Sequence, residues 1–194
     1  MSHAGWRRRP VRPVGPVLGG LVALALVGCA GPDRAPVPIE ASGDMACDGV
    51  PRAGVELVLG GPAVVQRDHG RWGAEESGFQ CDVVSERGGT PLVAVEEWDV
   101  RTRYGGSDDS VVDLLGAQDG AEAFEAAAPG AGFVTGGDGA DASASWVCGG
   151  RILTVALLGV ATDGRDQRAD AERLLVSMLP WACGDQDAPP RTRD

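Results

Sequence analysis

Hydrophobic and polar residues change rhythm several times along this chain, and each change marks an element. The first is an unbroken apolar run, Val17 to Gly28, behind an N-terminus that carries Arg7, Arg8, Arg9 and Arg12 and no acid. A basic start, a short apolar stretch and small residues at its end describe a secretory signal over residues 1–28, too short for a membrane span. Residues 29–45 hold Pro, Ala and acids with little to bury. They read as a flexible tether, roughly 20 Å long as a coil and about 50 Å if fully polyproline-like. Residues 186–194, polar with Pro189-Pro190, read as a disordered tail. One folded domain is expected over 46–185.

Inside that domain, Val55, Val58 and Leu59 share one face of a helix from Pro51 to Leu59, stopped by Gly60-Gly61. Ala63 to Arg67 reads as a strand. Gly78 to Ser85 is a clearer one, with Phe79, Cys81 and Val83 alternating against Gln80 and Asp82. Leu92 to Val100 is β-prone and is expected to pair with it through Glu86-Arg87-Gly88-Gly89. Ser107 to Leu115 reads as a helix, and so does Gly120 to Ala128, with Asp119 as its cap, Glu122 in its first turn and Pro129-Gly130 as its stop.

The sharpest signal follows. Ala142, Ala144, Trp146 and Cys148 alternate with Ser143, Ser145 and Val147, then Gly149-Gly150 leads into the apolar run ILTVALLGV. Two strands joined by Gly-Gly make a tight hairpin, and the second, apolar on both faces, belongs in the middle of a sheet. Arg165 to Leu179 closes the domain as a helix with Ala171, Leu174, Leu175 and Met178 inward and Pro180 at its end. Short turns between strands and helices around them predict an α+β fold, an antiparallel sheet of about five or six strands flanked by helices.

Charge and cysteine content narrow the setting. Beyond residue 28 there are thirteen arginines, no lysine and twenty-eight acids, a net charge of −15. Such a surface repels nucleic acid and anionic lipid, so no nucleic acid partner is expected. Cys47, Cys81, Cys148 and Cys183 are an even number in an exported chain, which indicates two disulfides. Zinc fits poorly, because no two lie within a C-x₂₋₄-C spacing and His69 is the single histidine after the signal. No cofactor or metal is expected.

Leu26-Val27-Gly28-Cys29 resembles the lipobox of bacterial lipoproteins. That resemblance implies that Cys29 carries a diacylglyceryl group, becomes the first mature residue, and anchors the protein to the outer face of the cytoplasmic membrane. The wider layout is lipobox, Pro-rich tether, Cys47 before a helix ending in Leu59-Gly60-Gly61, Cys81 in an early strand, a Trp-containing strand, an apolar strand and a closing helix. It resembles the actinobacterial secreted lipoproteins of unknown function related to the PsbP-like α/β sandwich. The resemblance implies an antiparallel sheet with flanking helices and no established activity. The favoured pairing is Cys47–Cys81 and Cys148–Cys183, against a rival that joins Cys47 to Cys183 and Cys81 to Cys148.

Candidate chemistry is sparse. Gly136-Gly137-Asp138-Gly139-Ala140-Asp141 opens like a calcium-binding repeat, yet such sites need stacked copies and there is one. Glu96, Glu97, Asp99, Asp108 and Asp109 supply the carboxylates a glycan hydrolase would pair across a cleft, but solvated acids on a strand face are the favoured account of them. His69 sits among polar residues beside Gly70, as loop residues do. No nucleophile elbow, zinc-protease motif or phosphate loop occurs. Of Trp72, Trp98, Trp146 and Trp181, the last two fit core packing beside cysteines, whereas Trp72 in a loop-like stretch is expected to be exposed and is the candidate binding surface. The expectation is a non-catalytic domain that binds an envelope protein or small ligand; the alternative is an envelope-polymer hydrolase.

Overall fold

The computed structural model describes residues 34–74, 77–86, 89, 92–137, 141–160 and 164–193. Cys29, the centre of the Gly136–Asp141 motif and part of the Glu86–Gly89 turn lie outside the described residues. The chain opens with a tiny hairpin, β1 (Met45–Cys47) and β2 (Val50–Pro51), then α1 (Arg52–Leu59). A meander follows: β3 (Ala63–Gly70), β4 (Phe79–Ser85) and β5 (Leu92–Asp99). Two short helices, α2 (Val100–Tyr104) and α3 (Asp108–Gly116), lead to a second meander, β6 (Glu122–Phe124), β7 (Ala131–Gly136), β8 (Ala142–Cys148) and β9 (Arg151–Leu158). The chain closes with α4 (Gln167–Val176) and α5 (Leu179–Ala182).

Pairing β5 with β9 fuses the two meanders into one antiparallel sheet of order β3-β4-β5-β9-β8-β7-β6. Seven strands stand where five or six were expected, so the α+β class holds with a larger sheet. The added strands are β6, inside the Ala-rich stretch 120–128 that reads as a helix, and β7, which follows it. Helix propensity loses there because the segment has a tertiary partner: β6 pairs with β7, and the Phe124 ring lies 5.4 Å from that of Trp146. The strand reading of 92–100 also ends early. Asp99 caps a new helical turn, accepting from the Thr102 backbone N–H at 2.7 Å.

One face of the sheet carries the main core. Cys81, Val83, Val93, Val95, Ala144, Trp146, Leu153, Val155 and Leu157 meet Val55 and Val58 of α1 and Ala171, Leu174 and Leu175 of α4. The opposite face holds a smaller cluster, where Val100, Val111 and Leu115 of α2 and α3 cover Val147 and Ile152. The cysteines pair as Cys47–Cys81 and Cys148–Cys183, with Cα separations of 6.2 and 5.8 Å. The Gly-Gly turn closes β8–β9 with φ of 54° and 83°, the left-handed pair that a two-residue hairpin needs.

Both expected tails are attached. Val37, placed in the tether by sequence, is fully buried in the main core. Its carbonyl accepts from Arg173 Nε, and the Ala35 carbonyl accepts from Arg165 Nη1 at 3.1 Å. Arg165 in turn forms a two-pronged pair with Asp170, both prongs at 2.7 Å. The folded unit therefore begins before residue 46. At the other end, Pro180 falls inside α5 rather than ending a helix, and residues beyond Cys183 run back along β1.

Asp99 carries a pH consequence for α2. The Thr102 backbone N–H, then its side chain, hold the Asp99 carboxyl below the ordinary carboxylate value of 3.8. A lowered folded value means the cap is intact above the ordinary range and is lost as pH falls through the lowered one. Protection of the Thr102 amide, relative to its intrinsic exchange rate at each pH, should therefore fall in acid before that of the sheet amides, and an Asp99→Asn variant should remove that step.

Candidate functional site

The strand register puts Glu97 of β5 on the core face, opposite Phe79 on one side and Leu153 on the other. An isolated carboxylate at 1% exposure would be costly. It is satisfied by Arg151, the first residue of β9, whose Nη1 donates to Glu97 Oε1. Arg151 Nη2 donates to the Gly73 carbonyl at 2.7 Å, and the Gly73 N–H donates to Glu97 Oε2 at 3.1 Å. This ring of three clamps the loop after β3. Gly73 adopts φ of +78°, and a Cβ there would lie 2.8 Å from the Arg151 guanidinium.

The clamped loop presents Trp72. Its ring stacks on Phe79 at 4.2 Å and meets Trp181 edge-on at 6.5 Å. Its indole N–H donates to the Asp48 carbonyl at 2.7 Å. Trp72 is thus half-buried, where sequence placed it exposed, because its ring completes an aromatic cluster. The two disulfides bracket that cluster. Cys47 precedes the Asp48-Gly49 turn that receives the indole N–H, and Cys183 follows Trp181 by two residues. Gly49 (φ +69°) lets the turn approach, since a Cβ would sit 2.6 Å from the Trp181 indole nitrogen.

The five suspected carboxylates do not share one cleft. Glu96 points to the face opposite Glu97 and accepts from Gln80 Nε2 and Trp98 Nε1, both at 3.2 Å. Asp99 caps α2, and Asp108 accepts from the Gly150 N–H at 2.9 Å, pinning the β8–β9 turn. Asp99 and Asp108 line one open hollow of about 490 Å³. Asp109 is exposed in the first turn of α3. His69 is exposed on the edge strand β3 opposite Gln80, not in a loop. Trp98 lies under the Arg103 guanidinium at 5.3 Å, and Trp146 is buried with its N–H on the Pro129 carbonyl at 3.0 Å.

Asp48, Asp68, Arg151 and Arg191 were not singled out by sequence. Asp48-Gly49 carries a readable signal, a two-residue turn of the Asp-Gly type between short apolar pairs. Arg151 has none, because its role depends on which strand β9 joins. Among the described residues no group of three or more His, Cys, Asp or Glu could hold a metal ion, and no helix is long and apolar enough to cross a membrane. Comparison with family models, curated proteins and solved structures returned no match to this chain.

Proposed function

We propose that the protein is anchored by lipid at Cys29 on the outer face of the cytoplasmic membrane. Its domain is a non-catalytic binding module for an envelope protein or small ligand, of the actinobacterial lipoprotein family related to the PsbP-like sandwich. The observation that carries this reading is a short leash. Val37 is fully buried, eight residues past Cys29. Eight residues extend about 26 Å at roughly 3.3 Å each, so a lipid at Cys29 keeps the domain at the membrane surface. Two acyl chains hold such an anchor stably, where one holds weakly. A net charge of −15 keeps the rest of the surface off anionic headgroups and free for partners.

Binding is favoured over hydrolysis because Glu96, Glu97, Asp99 and Asp108 are each engaged in a strand, clamp, cap or turn contact. The test is cross-linking of the tethered protein in its own envelope, read by mass spectrometry. A reproducible partner or ligand adduct is expected. No reproducible adduct, together with glycan turnover that is lost in Asp99→Asn and Asp108→Asn, would replace binding with hydrolysis.

A further inference from the structure

Past Cys183 the chain forms a strap along the outer edge of β1. The Gly49 N–H donates to the Pro189 carbonyl at 2.7 Å, and the Thr192 N–H donates to the Met45 carbonyl at 3.2 Å. The Met45 N–H donates to Thr192 Oγ1 at 2.9 Å. These contacts run antiparallel, and the prolines fall where the edge asks for no N–H donor. Two carboxylates complete the edge. Asp48 Oδ1 accepts from the Arg191 backbone N–H at 2.6 Å, and Asp68 Oδ2 pairs with the Arg191 guanidinium at 3.3 Å. Asp48, Asp68, Arg191 and Arg193 line an open hollow of about 610 Å³.

The strap is held without burial. Gln186, Asp187, Pro190, Arg191 and Arg193 are exposed, and no residue from Gln186 to Arg193 is fully buried. Its contacts are polar ones exchanged against water, each small, so it opens locally while the disulfide-bonded domain stays folded. An open strap bares strand-edge N–H and C=O groups beside two acids, which is the chemistry of strand addition. We propose that this edge is a peptide-binding site occupied by the chain's own C-terminus, and that its partner is an extended, arginine-bearing segment of another envelope protein. Charge complementarity selects that partner: in the strap the Arg191 guanidinium pairs with Asp68, its backbone N–H with Asp48, and Arg193 lines the same hollow. The inference rests on the binding-module reading; the edge chemistry is independent of the anchor, and only the partner's location in the envelope follows from it.

The probe is a fluorescent peptide of residues 186–193, titrated against the mature chain in detergent with and without the substitutions R191E and R193E. Those substitutions set like charges against Asp48 and Asp68 and should release the strap, seen as faster amide exchange at Met45 and Gly49. Binding to the released chain should be at least tenfold tighter than to the unaltered one, where the strap competes, and adding Asp68→Arg should remove that gain. Equal binding to both chains, or no saturable binding to the released one, would overturn the proposal. So would unchanged exchange at Met45 and Gly49, since the arginines would then not hold the strap. A concentration-dependent dimer of the unaltered chain would give the edge to a second copy instead. The peptide measurement uses no envelope, so it can fail while cross-linking succeeds, and the reverse.

Discussion

Reduction of both disulfides is expected to remove most of the stability of the folded domain. Each bridge closes a loop of similar length, with sequence separations of 34 and 35. Chain entropy assigns each about 3–4 kcal/mol, and a domain of this size holds only about 5–15 kcal/mol in total. Cys47–Cys81 ties the β1 turn to β4, and Cys148–Cys183 ties the end of the closing helices to β8; both border the same aromatic cluster, so the effects should add only in part. Denaturant unfolding of Cys47→Ser/Cys81→Ser, of Cys148→Ser/Cys183→Ser and of all four together gives the comparison. Losses below about 1 kcal/mol per pair would mean that packing alone holds the fold.

Arg151→Ala should be the most damaging single change at the aromatic cluster. It removes the cation from Glu97, which is 1% exposed, and among the described residues leaves that carboxylate the Gly73 N–H. Breaking a buried pair in this way costs about 3–5 kcal/mol, and the lower end applies because Arg151 itself is partly exposed. At roughly 2–4 °C per kcal/mol for a domain of this length, melting should fall by about 6–12 °C. The same change frees the Gly73 carbonyl, so Trp72 fluorescence should report a loosened loop. Glu97→Gln, which keeps the shape and removes the charge, should cost less. Equal losses for the two variants would show that the charge at this position is irrelevant.

The contrast between what sequence could and could not show has a physical cause. The β8–β9 hairpin was legible because alternation, Gly149-Gly150 and an apolar run all sit within adjacent residues, as were α1 with Gly60 and α4 with its Ala171, Leu174 and Leu175 stripe. Local signals failed where a distant partner decided the outcome. The stretch holding Glu122 to Phe124 has helix-forming neighbours, yet it became an edge strand once Trp146 gave Phe124 somewhere to pack. Val37 looked like tether because one valine among prolines carries no periodicity; only α4 reveals its slot. The candidate site shows the same limit. Trp72 was visible as a residue, but the Glu97–Arg151–Gly73 clamp and the Asp48 edge exist only after β5 meets β9 and the C-terminus returns to β1.

That return matters for function, because it leaves both ends of the domain attached. The N-terminal segment is held by Arg165 and Arg173, and the C-terminal strap by Asp48 and Asp68. A firmly seated N-terminal segment is what turns a lipid on Cys29 into a short leash. The proposed location at the membrane depends on that lipid. The decisive measurement is the intact mass of the mature protein extracted from membranes, compared with Cys29→Ala. A chain beginning at Cys29 and carrying a diacylglyceryl group, lost from the membrane fraction in the variant, is the expected result. A mature chain starting elsewhere, with no lipid mass and recovered equally from the medium in both forms, would contradict it.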